Sequence, residues 1–378
     1  MHIIYIITKL ELGGAQKVCL ALHNGLKLQD VETSLISGSD GVLVSSVADD
    51  KSVILLPSIT RELSLSGIFN EIKAFWALIK TIKQLSAQSK KQTVVHTHST
   101  KAGILGRWAA LFAGIQARVH TVHGFAFHEY QSWLTWIIIF TCEWITSLIT
   151  THFVVVSSYD QQIGSRLLPF FKNNNTIIRA SAFTRPQEPL KKNTEPFSTE
   201  NPLIIGTVSC FKPQKNLKDL ILIFSELINH HHINARLEII GDGEQRASLE
   251  NLAKEKGVFH LITFAGWQKD ISPWLYRWNI FALTSLWEGL PCAVVEARLF
   301  QIPVICYNTG GIKDVIKDGE NGFLINQLDT KTFTQKLVLI SQNHDLYQKM
   351  ATHFDDLEEF QINFMVNKHL ELYTKLLS

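Results

Sequence analysis

The chain has 378 residues, 46% of them apolar and 19% charged, with 21 glycines and 10 prolines. That length suggests two domains, and this apolar content supplies a large buried core, which excludes a disordered, collagen-like or low-complexity chain. A net charge of +2, from 36 basic and 34 acidic side chains, excludes the strong basic field of a general nucleic-acid binder.

In chain order, residues 2–7 (HIIYII) read as a first strand rather than a signal peptide, because no basic segment precedes them and no small-residue cleavage site follows. A Gly13–Gly14 turn then opens a helical pattern with Val18, Leu22 and Leu26 at i, i+4 and i+8. Strands are expected at 33–36, 53–56, 93–96, 117–122 and 152–156, with a helix over about 68–85. Residues 133–150 are long enough to test as a membrane span. Glu143 near their middle, and the lack of Lys or Arg between Arg118 and Arg166, argue instead for a buried helix. A helix face dipping into a bilayer surface is the second reading of that stretch.

Residues 185–202 hold four of the ten prolines and read as a linker. Beyond them, strands are expected at 203–208, 236–240, 261–264, 279–283 and 303–306. Helices are expected near 217–229, 245–256, 291–300 and 331–342. A last helix over 360–376 carries Ile362, Val366, Leu370 and Tyr373 on one side. Runs of β-branched residues without strict alternation mark strands buried on both faces, hence parallel sheets covered by helices. The expected organisation is an α/β domain over 1–184, a linker over 185–202, a second α/β domain over 203–359, and a helix over 360–378 packing back toward the first. Two such domains would face a central cleft lined by the carboxyl edges of their sheets. The five cysteines are odd in number, widely spaced and without a CxxC pair. They fit a reducing cytosol better than a disulfide framework or a zinc ribbon.

Four motifs carry chemistry. Glu288 and Glu296 bracket GLPCAVV after a strand, and Gly289 and Pro291 suit a turn that opens a helix whose free N–H groups favour a phosphate or sugar oxygen. The alternative is two solvated glutamates on an ordinary strand–turn–helix. Lys215 follows the strand 203–208 at a helix start, where it can neutralise a diphosphate, and Lys212 lies three residues before it. The Gly13–Gly14 turn and the GDG at 241–243 are weak signals alone, and no complete dinucleotide fingerprint occurs. His96, His98 and Lys101 end one apolar strand, and His120 and His123 end another. Metal ligation by the HxH pair is disfavoured, because no Cys or carboxylate stands at matching spacing. Structural histidines bonded to the backbone are the alternative. His230–His232 read as a solvated turn.

In these motifs the chain resembles the retaining GT-B glycosyltransferases of family 4. ExxxxxxxE is that family's signature, and SLWEGLPCAVVEA, NTGGIKDVIKDGENGFLI and IIGDGE resemble its C-terminal domain. HTHSTKAGILGR and TVHGFAFH resemble the N-terminal domain of its bacterial surface-polysaccharide branch. The resemblance implies a GT-B fold of two Rossmann-like parallel-sheet domains and transfer of a sugar from a nucleotide sugar with retention of configuration. It implies no cofactor and no metal, in keeping with the lack of a DxD at a strand end. It implies His123, Lys215 and Glu288 as catalytic residues, with His123 near the transferred sugar. Donor binding would fall to Gly13, Gly14, Lys212, Lys215, Gly241, Glu288, Gly289, Leu290 and Glu296, the last at the nucleotide ribose. His98 and Lys101 would lie on the acceptor side. The family's usual arginine five residues before the lysine is Cys210 here.

The branch implies a lipid-linked glycan, carried on polyprenyl diphosphate, as acceptor. It also implies a cytoplasmic location with peripheral contact to the inner membrane. The charge distribution agrees: residues 1–190 carry 17 Lys and Arg against 12 Asp and Glu, and residues 191–378 carry 19 against 22. The first half is therefore net +5, a modest attraction to an anionic surface. Two other classes share the nucleotide-sugar expectation: an epimerase of related architecture, and a non-catalytic sugar-nucleotide-binding protein.

Overall fold

In the computed structural model the chain divides into two units, Met1–Ala182 with Glu358–Ser378, and Phe183–Leu357. Residues 1–60, 68–181 and 195–378 are described, so residues 185–194 of the expected linker lie outside the described residues.

Unit 1 alternates strand and helix: β1 (His2–Ile6), α1 (Gly14–Lys27), β2 (Glu32–Ser37), β3 (Val53–Leu55), α2 (Ile68–Ser89), β4 (Thr93–His98), α3 (Thr100–Phe112), β5 (Ala117–Val122), α4 (Trp133–Ser147), β6 (His152–Val155), α5 (Ser158–Leu167) and β7 (Asn175–Ile177). The strands form one parallel sheet in the order β3-β2-β1-β4-β5-β6-β7. Ile3, Ile4, Tyr5 and Ile6 of β1 and Val94 and Val95 of β4 are buried, as strands covered on both faces must be.

Unit 2 repeats the pattern with β8 (Leu203–Val208), α6 (Leu217–Asn229), β9 (Ala235–Ile240), α7 (Arg246–Glu255), β10 (Ile262–Gly266), α8 (Ser272–Leu275), β11 (Ile280–Leu283), α9 (Cys292–Leu299), β12 (Val304–Tyr307), β13 (Gly322–Ile325), α10 (Thr330–Gln342) and α11 (His344–Ala351). Its parallel sheet runs β10-β9-β8-β11-β12-β13. Its core packs Leu220, Ile221 and Phe224 of α6 and Phe333, Leu337 and Ile340 of α10 with sheet residues such as Leu237, Ile239 and Ile305.

The last helix, α12 (Ile362–Leu377), belongs to unit 1 and packs against α1. The unit boundaries therefore fall at 182/183 and 357/358, two residues before each expected boundary.

Each sheet reverses its strand order once. In unit 1 the reversal lies between β1 and β4, and in unit 2 between β8 and β11. Crevices beyond the carboxyl ends of strands at such reversals are where open α/β sheets bind ligands.

The expectation of a buried helix over 133–150 needs correction. The buried residues of α4, Glu143, Thr146 and Ser147, are all polar, and its large apolar side chains are not among them. Arg107 of α3, with no exposed surface, reaches Glu143 at 2.7 Å and Thr150 at 2.9 Å, which draws that side inward. Trp133, Leu134, Ile137, Ile138, Trp144 and Ile145 are left exposed, Trp133 by 74%. Among the described residues, no helix is long and apolar enough to cross a membrane.

Candidate active site

In unit 2 the 3-10 turn Pro213–Lys215 follows β8, and Glu288 stands in the loop between β11 and α9. The adjacency of β8 and β11 brings together two side chains 73 residues apart, with Lys215 Nζ 2.5 Å from Glu288 Oε1. The lysine side chain is 18% exposed and the glutamate 8%, so the pair is largely shielded from water. Burial opposes the ammonium charge, yet the Glu288 carboxylate outweighs it and raises the lysine pKa above its ordinary value.

Both loops are fastened at close range. Leu286 N–H donates to Gln214 O (2.8 Å), Gln214 Nε2 donates to Trp287 O (2.7 Å), and the Thr284 hydroxyl donates to Asn216 O (3.0 Å). From the other side, Thr309 Oγ1 (3.0 Å) and Gln327 Nε2 (2.7 Å) both donate to Leu286 O. Gly310 has φ +54°, and a Cβ there would lie 2.0 Å from the Glu288 carbonyl oxygen. Only glycine lets the backbone come that close to the glutamate.

The other donor-side candidates take the following places. Gly289 and Leu290 are buried, and Gly289 O accepts from Gly311 N–H at 2.7 Å. Glu296 lies one turn into α9 and is only 5% exposed, so neither glutamate of the signature is a solvated one. Two residues further on, Arg298 Nε donates to Asp355 Oδ2 at 2.7 Å, and Asn321 Nδ2 donates to the other oxygen at 2.8 Å, which anchors the helix carrying Glu296. Lys212 precedes the 3-10 turn and is half-buried. Gly241 follows β9 with φ +122°. A Cβ there would lie 1.9 Å from the Ser209 carbonyl oxygen, so this glycine permits a close approach to the end of β8.

In unit 1, Gly13 is the extended residue before α1 and Gly14 is the helix's exposed first residue, with no side chain capping the free N–H groups. His98 ends β4, and His123 follows β5 by one residue. The sheet brings them together, with Nδ1 of His98 2.9 Å from Nε2 of His123. His98 has no exposed surface, so its ring faces His123 rather than solvent. Burial lowers the pKa of His123 to about 3, with His369 adding to the effect, and draws that of His98 well below its ordinary value. Lys101, in the first turn of α3, is paired with Glu71 of α2 at 2.5 Å. Between them, Ser99 adopts φ +61°, an uncommon conformation for a residue other than glycine, at the sheet's reversal.

Sequence reasoning singled out His96 with His98 but missed what the two rings meet. His96 and His98 stack with ring centroids 4.5 Å apart, and His96 also bonds Tyr373 of α12. Their spacing of two residues was the available signal, since it places both side chains on one face of β4. Nothing local signals Tyr373. Gln214, Thr309, Gly310 and Gln327 were likewise not singled out, because each acts on a loop distant in sequence.

Comparison with known proteins matches residues 12–178 to the Glycosyltransferase Family 4 model and residues 191–353 to the Glycosyl transferases group 1 model. The chain is 28% identical over 382 aligned positions to the Escherichia coli UDP-Gal:alpha-D-GlcNAc-diphosphoundecaprenol alpha-1,3-galactosyltransferase, covering 94% of this chain and 95% of that one. It is 23% identical to the Staphylococcus aureus capsular polysaccharide biosynthesis glycosyltransferase CapM, over 86% of this chain and 84% of that one. Among solved structures, Anabaena HepE in complex with UDP and glucose superposes with a TM-score of 0.80 at 16% identity, over 99% of this chain and all of that one. One model falls in each unit, and the chain belongs to glycosyltransferase family 4, with the GT-B fold.

Proposed function

We propose that the protein transfers a hexosyl group from a uridine diphosphate sugar to a polyprenyl-diphosphate-linked glycan of surface-polysaccharide synthesis, with retention of configuration and without a metal ion. The observation that carries this reading is the Lys215–Glu288 pair at the β8–β11 reversal. As the bond from the anomeric carbon to the diphosphate breaks, positive charge develops on carbon and negative charge on the leaving oxygen. A lysine ammonium held charged by a shielded carboxylate is suited to that oxygen. Lys215 is assigned to the diphosphate, Glu288 to the lysine and the sugar hydroxyls, Glu296 to the ribose and His123 to the transferred sugar. The backbone of Gly289 and Leu290, together with Lys212 and the Gly13–Gly14 turn, supplies further phosphate contacts. The acceptor hydroxyl attacks on the face from which the diphosphate departs, and its proton passes to the departing oxygen. One C–O bond forms, one breaks, and no separate base is needed.

The uridine donor and the lipid diphosphate acceptor are supported by the activity for which the E. coli relative is named. Bilayer contact on the cytoplasmic side is supported by α4, whose exposed Trp133, Leu134, Ile137, Ile138 and Trp144 form an uncharged apolar face.

The test is incubation with a synthetic GlcNAc-diphospholipid and a panel of nucleotide sugars, with EDTA present, followed by NMR of the product's anomeric centre. An α-linked product from an α-linked UDP-hexose is expected. An inverted linkage, or activity abolished by EDTA, would overturn the mechanism, and release of a free epimer without acceptor would favour the epimerase reading. Co-sedimentation is expected with anionic vesicles and reduced for an Ile138→Ser, Trp144→Ser variant. Equal sedimentation of the two proteins would remove α4 from the membrane contact.

A further inference from the structure

The histidine proposed to meet the sugar is backed by a set of buried rings drawn from two strands and the last helix of unit 1. His98 bonds His123 at 2.9 Å. The His98 ring stacks on His96 (4.5 Å between centroids, 29° between planes), and His96 stacks on His369 of α12 (5.5 Å, 27°). His96 is bonded at both nitrogens: Nε2 meets Thr121 Oγ1 of β5 at 2.7 Å, and Nδ1 meets the Tyr373 hydroxyl. That hydroxyl lies 3.2 Å from the Tyr5 hydroxyl of β1. His369 Nδ1 donates to the Met365 carbonyl at 2.8 Å, which fixes its ring on the helix. The rings of His96, His98 and His369 and both tyrosines are buried.

A histidine that must present one nitrogen to a substrate is commonly oriented by a carboxylate on its other side, which also favours the protonated ring. Here no carboxylate is bonded to any of these imidazoles among the described residues; the group beside His123 is another imidazole. An imidazole partner can fix the orientation and tautomer of His123 without stabilising its cation. The stack behind it, closed by α12, removes the rotational freedom of His98. For a reaction in which the leaving diphosphate takes the acceptor proton, a neutral and fixed histidine offers a hydrogen bond to a sugar hydroxyl without competing as a base.

We propose that His98 is the positioning residue for His123, and that α12, through His369 and Tyr373, holds His98 in place by way of His96. The inference rests on the assignment of His123 to the transferred sugar, and its test carries one readout that does not depend on activity.

The experiment compares the full-length wild type with His98→Phe, His98→Asn and Tyr373→Phe, each labelled with 15N at histidine. Phenylalanine keeps a ring in the stack but cannot bond His123, whereas asparagine returns a hydrogen-bonding group near the Nδ1 position. In the wild type the ring 15N shifts of His123 are expected to report a single neutral tautomer. In His98→Phe they should move toward a tautomer mixture, with kcat lower by about 10- to 100-fold and donor KM changed by less than about threefold. His98→Asn should recover most of both, and Tyr373→Phe should shift the His123 signals in the same direction by less. An unchanged His123 tautomer in a folded His98→Phe protein overturns the proposal, as does a kcat loss that asparagine does not recover. If the tautomer moves as expected while kcat stays constant, the positioning holds and the assignment of His123 to transfer fails.

Discussion

At the scale of single residues, the Lys215–Glu288 pair makes an assay possible in which charge and fold are read separately. Lys215→Ala is expected to lower kcat/KM by about 10²–10³, the usual effect of removing one group aimed at developing negative charge. Donor turnover with unfolding monitored in parallel checks it; wild-type turnover in a folded variant would take the lysine away from the diphosphate. Both residues were legible in the sequence as motif members. Their pairing was not, because it depends on β8 and β11 lying side by side, and no local pattern records that adjacency. The buried histidines give a second prediction at this scale. His123 and His369 have folded pKa values of about 3 and about 4, and His96 and His98 lie well below their ordinary value, chiefly from burial. In the unfolded chain these groups bind protons near pH 6.5, so between that value and the folded ones the unfolded state carries more protons. Stability is therefore full above about pH 7 and falls as the solution is acidified, by about 2 kcal/mol at pH 5 for each of His123 and His369, with His96 and His98 acting in the same direction. Asp50 works in a lower window: Lys27 and Ser52 overcome its burial and hold it below the usual carboxylate range, so its contribution is lost only as pH falls below about 4. Urea midpoints at pH 7.5, 6 and 5 test the histidine part, and a flat profile would mean that these rings take up protons without cost.

At the scale of elements, α4 shows how a hydrophobic segment can be recognised and still be turned the wrong way. Its length and its start at Trp133 were readable, and Ser132 caps it by accepting from Thr135 N–H. Its orientation was not, because the buried side is chosen by Arg107, a residue of another helix 36 positions away from Glu143. That pair has almost no exposure, so breaking it leaves an uncompensated charge inside the unit. Glu143→Leu is expected to cost about 3–5 kcal/mol, seen as a lower thermal midpoint. The double variant Arg107→Met, Glu143→Leu should regain most of the loss, since two apolar side chains of similar volume need no partner. A double variant no more stable than the single one would show that the helix is held by something other than the ion pair. β13 and β7 escaped the sequence reading for a simpler reason. β7 offers a single apolar residue in Asn-Thr-Ile, and β13 opens on the glycine of an Asn-Gly pair that reads as a turn.

At the scale of the molecule, two parallel sheets were foreseeable from alternating apolar runs and amphipathic segments. The strand orders themselves were not, since many orders satisfy the same pattern. A last helix packing back toward the first domain was expected, but its partners were not: Tyr373 meets Tyr5 across 368 positions. Removal of residues 358–378 is expected to abolish the cooperative unfolding of unit 1, because α1 loses the helix packed on it and β4 loses the bond from His96 to Tyr373. Unit 2 contains none of those residues and should still melt on its own. Calorimetry of the shortened protein tests this, and two intact transitions would show that α12 is dispensable.

The two chain crossings at 182/183 and 357/358 also set an order of events at the ribosome. Unit 2 is one continuous stretch and can close as soon as it has emerged. Unit 1 must wait, with its sheet synthesised first and the helix that packs on α1 delivered last. At roughly 5–20 residues per second, the interval needed to translate unit 2 is about 10–35 s. Throughout it, the nascent protein carries a sheet whose α1 layer lacks its partner helix, a surface open to chaperones and to neighbouring chains on the same message. A stalled or truncated product would thus be recognisable to the cell by that unfinished layer, even with unit 2 fully formed.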